Sequence, residues 1–328
     1  MIYFPAMAKS SRKVVVGIDL GGTKILAAVA DSKARILAET RLDTEAKKGL
    51  SKVMSNVKIA VLKALWKART SLKNVTSICI GAPGPIIYKK GLIVSPPNMP
   101  GWGKVNLKDR IKRIFKKPVF MENDANLAAF AEAVKGAGKG MRNVVYFTLS
   151  TGIGGGIVLD GRIFRGKTGG AGEVGHMVIE KEGIRCGCGG RGCLEAMGSG
   201  TAVARMAQKR APKSSRMIKL AGGKRSNITT EIVGQAARKG DTLAKNILRE
   251  VGGNIGIGVA NIVNILNPDI VVLGGGLTNL WDIIHEPIMR AYKNQVLEVP
   301  GAGVKIKKAK LGGYAGVIGA VLFALDPK

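Results

Sequence analysis

Apolar positions fall into short continuous runs and longer helical stripes that alternate along the chain. Residues 14–18, Val-Val-Val-Gly-Ile, form an unbroken apolar run stopped by Asp19 and Gly21, the pattern of a strand buried on both faces. Runs from Ile25 to Ala30 and from Arg35 to Thr40, joined by Asp31-Ser32-Lys33, extend it into an antiparallel meander. Leu50, Val53, Val57, Val61 and Leu65 recur at helical spacing over residues 50–68, and Ser77–Ile80 predicts the next strand. The second half repeats the plan. A strand over Val144–Leu149 leads into a glycine-rich turn at 150–156, a return strand at Ile157–Asp160 and a third begun by Arg162-Ile163-Phe164. A largely helical stretch at 229–267 then precedes a strand at Asp269–Leu273 that ends in Gly274-Gly275-Gly276. Strand, glycine turn, two strands, helix and strand thus occur twice, which predicts a duplicated α/β unit with the two halves facing each other across a cleft. The basic stretch 104–117 ends before Pro118, so the expected domains are 1–120 and 121–311, with residues 312–328, small and apolar at helical spacing, packing back across the junction.

Composition narrows the class. The 328 residues are 46% hydrophobic, which excludes disorder as the main state, and the 46 glycines follow no G-X-Y period, which excludes collagen. Lys and Arg number 52 against 22 acids, a net charge of +30 that attracts polyanions and says nothing about fold. No segment approaches the ~18 uncharged apolar residues of a membrane span. Met1–Ala8 is mildly apolar but too short for a secretory signal, and translation is expected to start at Met7. Three of the four cysteines lie at Cys186, Cys188 and Cys193, a spacing for metal rather than disulfides, so a reducing, cytoplasmic setting is expected.

The turns carry candidate chemistry. Asp19-Leu20-Gly21-Gly22-Thr23-Lys24 lacks P-loop spacing and precedes a strand rather than a helix. Its glycines let backbone amides approach a phosphate, and Asp19 can hold Mg²⁺; the alternative is an ordinary hairpin turn. The second turn, with Thr151, Gly152 and Gly154, tips the balance toward a nucleotide, and Gly274 and Gly275 offer a further close approach suited to an adenosine. Glu122-Asn123-Asp124-Ala125-Asn126 precedes an Ala-rich helix, so one of these residues is a helix cap; Asp124 is the candidate general base for a sugar hydroxyl attacking phosphorus.

His176, one of only two histidines, joins Cys186, Cys188 and Cys193 in a Cys₃His set that matches a closed tetrahedral zinc site. Such a site has no open position for Lewis-acid work. Its expected role is to fix the backbone that aims Glu173 and Glu195 at vicinal sugar hydroxyls. Cys79, inside an apolar run, is expected to be inert core, and His285 to serve at the surface or as a cap.

Together these motifs resemble the ROK family of repressors, open reading frames and sugar kinases, and within it the bacterial ATP-dependent glucokinases. The resemblance runs from Asp19-Leu20-Gly21-Gly22-Thr23-Lys24 through Gly81-Ala82-Pro83-Gly84, the 122–126 motif, Thr151–Gly156, Gly172-Glu173-Val174-Gly175-His176 and Cys186–Glu195 to Tyr314–Ala320. It implies an actin/hexokinase-like (ribonuclease H-like) α/β fold with the nucleotide in an interdomain cleft. It also implies transfer to the 6-hydroxyl of a hexose with Asp124 as base. Asn98, Asn123, Asp124, Glu173, His176 and Glu195 would then bind sugar, with His176 giving one ring nitrogen to sugar and the other to zinc. Homodimers or homotetramers are expected. Ser150 stands where many relatives have glycine.

Glucose is the expected acceptor, with mannose, fructose, N-acetylglucosamine and N-acetylmannosamine as alternatives. The basic charge raises inorganic polyphosphate as an alternative donor: residues 104–117 carry seven Lys/Arg against one acid, and residues 196–230 carry no acid. A solvated basic face explains the same numbers. A sugar-responsive repressor is the remaining alternative. Only 18 residues precede Asp19, too few for a helix-turn-helix reader, so no specific nucleic acid and no membrane partner is expected.

Overall fold

The computed structural model describes residues 12–96 and 98–327, so the expected start at Met7 lies outside the described residues. The chain divides into two compact units. The first takes residues up to 139, then 156–171, then 313 onward; the second takes 140–155 and 172–312. The division falls at 139/140 rather than near 120, because the helix after the 122–126 motif packs within the first unit.

The first unit is built on β1 (Val14–Leu20), β2 (Lys24–Ala30), β3 (Ile36–Asp43) and β4 (Val75–Ala82). A small antiparallel sheet of β5 (Ile86–Ile87), β6 (Leu92–Val94) and β7 (Lys104–Asn106) follows, before β8 (Val119–Asn123) completes the main sheet in the order β3-β2-β1-β4-β8. The meander β1-β2-β3 is antiparallel, and β4 and β8 run parallel to β1. Every residue of β1 except Asp19 is buried, as its unbroken apolar run requires. Helix α1 (Leu50–Lys67) buries its stripe of Val53, Val57 and Val61 on one face of the sheet. Helix α2 (Leu107–Phe115) is capped by Asn106 and turns Leu107, Ile111 and Phe115 inward, which leaves Arg110, Lys112 and Arg113 in water. Much of the 104–117 charge is therefore the solvated side of an amphipathic helix.

The opposite face of that sheet is covered by α3 (Asp124–Lys135) and by the last helix of the chain, which spans Ala315–Leu325. The contact is made backbone to backbone. A Cβ at Gly17 would stand 2.7 Å from the Val321 nitrogen, and one at Gly319 would stand 2.0 Å from the Leu127 carbonyl oxygen. Cys79 lies in this layer, wholly buried, with burial pushing its thiol well above the ordinary value.

The second sheet starts with β9 (Val144–Leu149) in the second unit and β10 (Ile153–Leu159), which crosses the division at 155/156 and continues to β11 (Arg162–Ile163) in the first. The second unit's helices are α4 (Leu194–Gly198), α5 (Gly200–Arg210), α6 (Arg216–Leu220), α7 (Thr230–Arg238), α8 (Thr242–Leu266), α9 (Trp281–Gln295) and α10 (Glu298–Gly301). Between α8 and α9 runs β12 (Ile270–Gly274), and β13 (Lys305–Lys308) leads to the last helix, α11 (Ala315–Leu325). β12 pairs in parallel with both β9 and β13. The strand order β11-β10-β9-β12-β13 repeats the order of the first sheet, the duplication expected from the sequence. The core is dominated by α8 against α9 and the sheet. His285 lies on α9, stacked on Trp281 with ring centroids 4.7 Å apart.

The second glycine turn is shorter than expected. β10 starts at Ile153, not Ile157, so Gly154, Gly155 and Gly156 are strand residues. Close packing explains two of them: a Cβ at Gly155 would meet the Gly172 carbonyl oxygen at 2.7 Å, and one at Gly156 the Ala125 carbonyl oxygen at 2.5 Å. Among the described residues no helix is long and apolar enough to cross a membrane.

Candidate functional site

The candidate residues form two groups, one in each unit. In the first, the hairpin after β1 is closed by the Gly21 N–H donating to the Lys24 carbonyl at 3.0 Å. The Thr44 hydroxyl donates to the Gly21 carbonyl at 2.6 Å and the Thr44 N–H to the Thr23 carbonyl at 2.8 Å, which pins the turn from the side. Thr23 and Lys24 remain exposed, while Gly21 and Gly22 are half-buried. Gly22 brings Asn98 alongside: a Cβ there would lie 2.5 Å from the Asn98 Cβ, so no other residue fits without moving the loop. Asp19, at the end of β1, sits against the start of α11, where a Cβ at Gly316 would approach its carboxylate to 2.8 Å. Burial, then the nearby Asp124 carboxylate, push Asp19 up to about 7 from the ordinary 3.8, against a smaller opposing effect of Arg41. A cation bound at Asp19 would relieve both the burial and the repulsion.

β8 delivers the 122–126 motif. Asn123 is the cap of α3; its side-chain oxygen accepts the Ala125 N–H at 2.9 Å and the Asn126 N–H at 3.2 Å. The capping role therefore falls to Asn123, whose amide nitrogen lies 3.4 Å from where a Cβ at Gly84 would be. Asp124 is the first residue of α3, half-buried, and its carboxylate accepts the Ala125 N–H at 2.8 Å. Behind it Glu122 is buried. Its Oε1 accepts the Asn123 N–H at 2.8 Å and the Asn126 side-chain N–H at 3.0 Å, and its Oε2 accepts Arg165 Nε at 2.7 Å. Sequence reasoning passed over Glu122 and Arg165, since a pair 43 residues apart leaves no local pattern.

In the second unit the sulfur cluster assembles as expected. One ligand atom from each of His176, Cys186, Cys188 and Cys193 lies within 4.8 Å of all the others. Tetrahedral zinc with metal–sulfur bonds of about 2.3 Å sets its sulfurs about 3.8 Å apart. Cys188 Sγ and Cys193 Sγ are 3.7 Å apart, and Cys186 Sγ is 3.8 Å from His176 Nδ1. Burial pushes the Cys193 thiol up to about 12, while the Gly190 N–H holds Cys188 below its ordinary value. A cation in the cluster is what turns such a buried thiol into a thiolate ligand. The residues thus fit zinc in number, type and spacing.

The two ring nitrogens of His176 face different surroundings. Nδ1 faces the sulfurs and Nε2 faces outward, 3.9 Å from Glu173 Oε2. Glu173 is exposed. Glu195, two residues after Cys193 on α4, reaches the turn between β9 and β10: its Oε2 accepts the Ile153 N–H at 2.9 Å. Gly152 makes room for it, because a Cβ there would lie 2.3 Å from that oxygen.

Beside the turn lies a cleft of about 520 Å³, walled by Thr151, Thr201, Thr230, Gly276, Asn279 and others. Thr201 and Thr230 escaped the sequence reading, which looked for glycine. Gly274 and Gly275 do not line this cleft, whereas Gly276 does. Their glycine character is set by packing. A Cβ at Gly274 would be 2.3 Å from the Tyr146 hydroxyl and one at Gly275, with φ of 88°, 2.3 Å from the Leu149 carbonyl oxygen.

Known proteins share this arrangement from end to end. The ROK family model matches residues 15–326. The glucokinase of Halalkalibacterium halodurans is 36% identical over 93% of this chain and 92% of its own length. The solved ROK family glucokinase of Streptomyces griseus, in complex with glucose and AMPPNP, superposes with a TM-score of 0.80 at 33% identity, over 95% of this chain and 99% of that one. The xylose repressor of Caldicellulosiruptor bescii is 29% identical over 95% of this chain and 78% of its own length. The duplicated α/β architecture is thus the actin/hexokinase-like one, and the chain belongs to the ROK family.

Proposed function

We propose that this chain is an ATP-dependent hexose kinase that phosphorylates glucose at its 6-hydroxyl. The observation that carries this reading is the setting of Asp124: a half-buried carboxylate at the start of α3, held by a backbone N–H, with the Asp19 carboxylate close enough to be perturbed by it. A base with a metal-binding carboxylate beside it is what phosphoryl transfer from a nucleotide needs.

Asp124 accepts the proton of the 6-hydroxyl as that oxygen bonds to the γ-phosphorus, and the bond from phosphorus to the ADP oxygen breaks. Asn98, Asn123, Glu173, His176 Nε2 and Glu195 Oε1 bind the remaining hydroxyls, so a sugar lacking one leaves a polar group unpaired. The nucleotide takes the cleft beside Thr151, with the turn amides near its phosphates. Asp19 holds Mg²⁺, which when bound neutralises phosphate charge. His176, Cys186, Cys188 and Cys193 hold zinc, which when bound ties the 176–193 segment together without an open coordination position. The glucokinase relatives support this reading over the repressor one, as does the presence of Asp124.

A coupled ADP-release assay over a panel of hexoses tests the reading; glucose is expected to give the highest kcat/KM. No turnover with any hexose under Mg-ATP refutes it. The net charge of +30 favours a second reading, with polyphosphate as the donor. Initial rates with ATP and with polyphosphate separate the two, and ATP is expected to be faster.

A further inference from the structure

We propose that Glu122 and Arg165 form a buried positioning pair that sets the geometry of the Asn123-Asp124 turn. The inference rests on the kinase reading for its catalytic consequence and on contacts within the first unit for its structural one.

Glu122 has 3% of its side chain exposed and Arg165 has 20%. A carboxylate so deeply buried persists only when its oxygens are fully engaged. Glu122 meets that condition with three donors, two of them from the turn itself: the Asn123 N–H and the Asn126 side chain. The third is Arg165 Nε, which supplies the countercharge. The Asn123 N–H belongs to the peptide joining the last residues of β8, so the Glu122 carboxylate fixes the plane of that peptide. That plane directs the Asn123 side chain onto the Ala125 and Asn126 amides and so places Asp124 one residue on.

Arg165 is itself held on three sides. Its guanidinium lies 4.6 Å from the centroid of the Tyr88 ring and 5.4 Å from that of Phe323, on α11. Its Nη1 donates weakly to the Ile163 carbonyl at 3.5 Å, and its buried Nη2 has no hydrogen-bond partner among the described residues. A guanidinium that leaves one buried donor unpaired to keep its Nε on a carboxylate is being used for orientation rather than for the number of its bonds. Lysine cannot replace it, having neither the flat face for two rings nor the Nε fork. Neither residue needs to touch substrate; both act through Asn123 and Asp124.

The test compares Arg165→Met, Glu122→Gln and the double variant with the wild type, each checked for folding by circular dichroism. Arg165→Met leaves a buried carboxylate without its countercharge. Its kcat is expected to fall tenfold to a hundredfold, while the KM for nucleotide stays within about twofold, since a displacement near 1 Å at a reacting group costs about that much. Adding Glu122→Gln removes the uncompensated charge and keeps an acceptor for the turn, so the double variant is expected to recover at least about fivefold in kcat over Arg165→Met. If the methionine variant does not fold, the neutral and polar Arg165→Gln carries the same comparison.

Amide hydrogen exchange of the peptide covering 122–127 gives a readout free of turnover: faster in Arg165→Met, slowed again in the double variant. An unchanged kcat in a folded Arg165→Met, or a double variant no better than the single, overturns the proposal. Wild-type protein inactive on every hexose refutes the kinase reading alone, and the exchange rates then decide the pair.

Discussion

Gly152→Ala tests the site with one methyl group. The added Cβ would stand 2.3 Å from Glu195 Oε2 and 3.2 Å from its Cδ. Carbon and oxygen settle no closer than about 3.3 Å, so the carboxylate must withdraw by about 1 Å. That stretches the 2.9 Å bond from the Ile153 N–H beyond hydrogen-bond reach. A hydrogen bond to a charged group contributes about 1.5–3 kcal/mol, the lower end applying here because Glu195 is only half-buried. If the lost bond positions Glu195 for sugar, kcat/KM for glucose should fall about tenfold at saturating ATP. Melting temperature should fall by only a few degrees, since no φ restriction applies at Gly152. Gly187→Ala, where a Cβ meets nothing within 4 Å, is the control in the same arm. A kcat/KM within twofold of wild type in Gly152→Ala would refute the argument that Glu195 acts from this position.

Asp124→Asn should lower kcat by about 10²- to 10⁴-fold with little change in glucose KM, because asparagine keeps a hydrogen-bonding contact to the hydroxyl and loses only the base; steady-state kinetics with purified protein checks this. Cys188→Ala should lower melting temperature and weaken glucose binding together, and unchanged values of both would argue against the cluster as an anchor for Glu195. Asp19 should make stability pH-dependent. Its folded value near 7 lies above the ordinary 3.8, so the native state holds the extra proton and stability falls as pH rises from about 4 to about 7. Asp19→Asn should therefore raise melting temperature at pH 8 without Mg²⁺ but not at pH 4, and a gain that is equal at both would contradict the assignment.

What could be read from the sequence follows from the range of the forces involved. β1 and α1 were legible because burial imposes a period on neighbouring residues. The sulfur cluster was legible because three of its ligands lie within eight residues and few other side chains bind zinc. Glycine was the ambiguous letter. At Gly22 it permits close approach of Asn98, but at Gly155, Gly156, Gly274 and Gly275 it answers to neighbouring chain that sequence does not place nearby. The cleft wall at Thr201 and Thr230 is similarly non-local, since their hydroxyls are spent on the backbone carbonyls of Thr151 and Gly200.

Helix α11 has a consequence for how the chain acquires its structure. It covers the sheet face that contains Val15, Ala28 and Cys79, and it closes on Gly17 and Leu127 with almost no space to spare. Gly17 and Val321 lie far apart in sequence, so the contact closes a very long loop. Loop closure over such a distance is slow, and the apolar face beneath stays open to aggregation until the C-terminal segment arrives. Asp19 gains its neighbour Gly316 in the same step. The first unit therefore completes its last layer only when α11 docks, and Asp19 is enclosed only then.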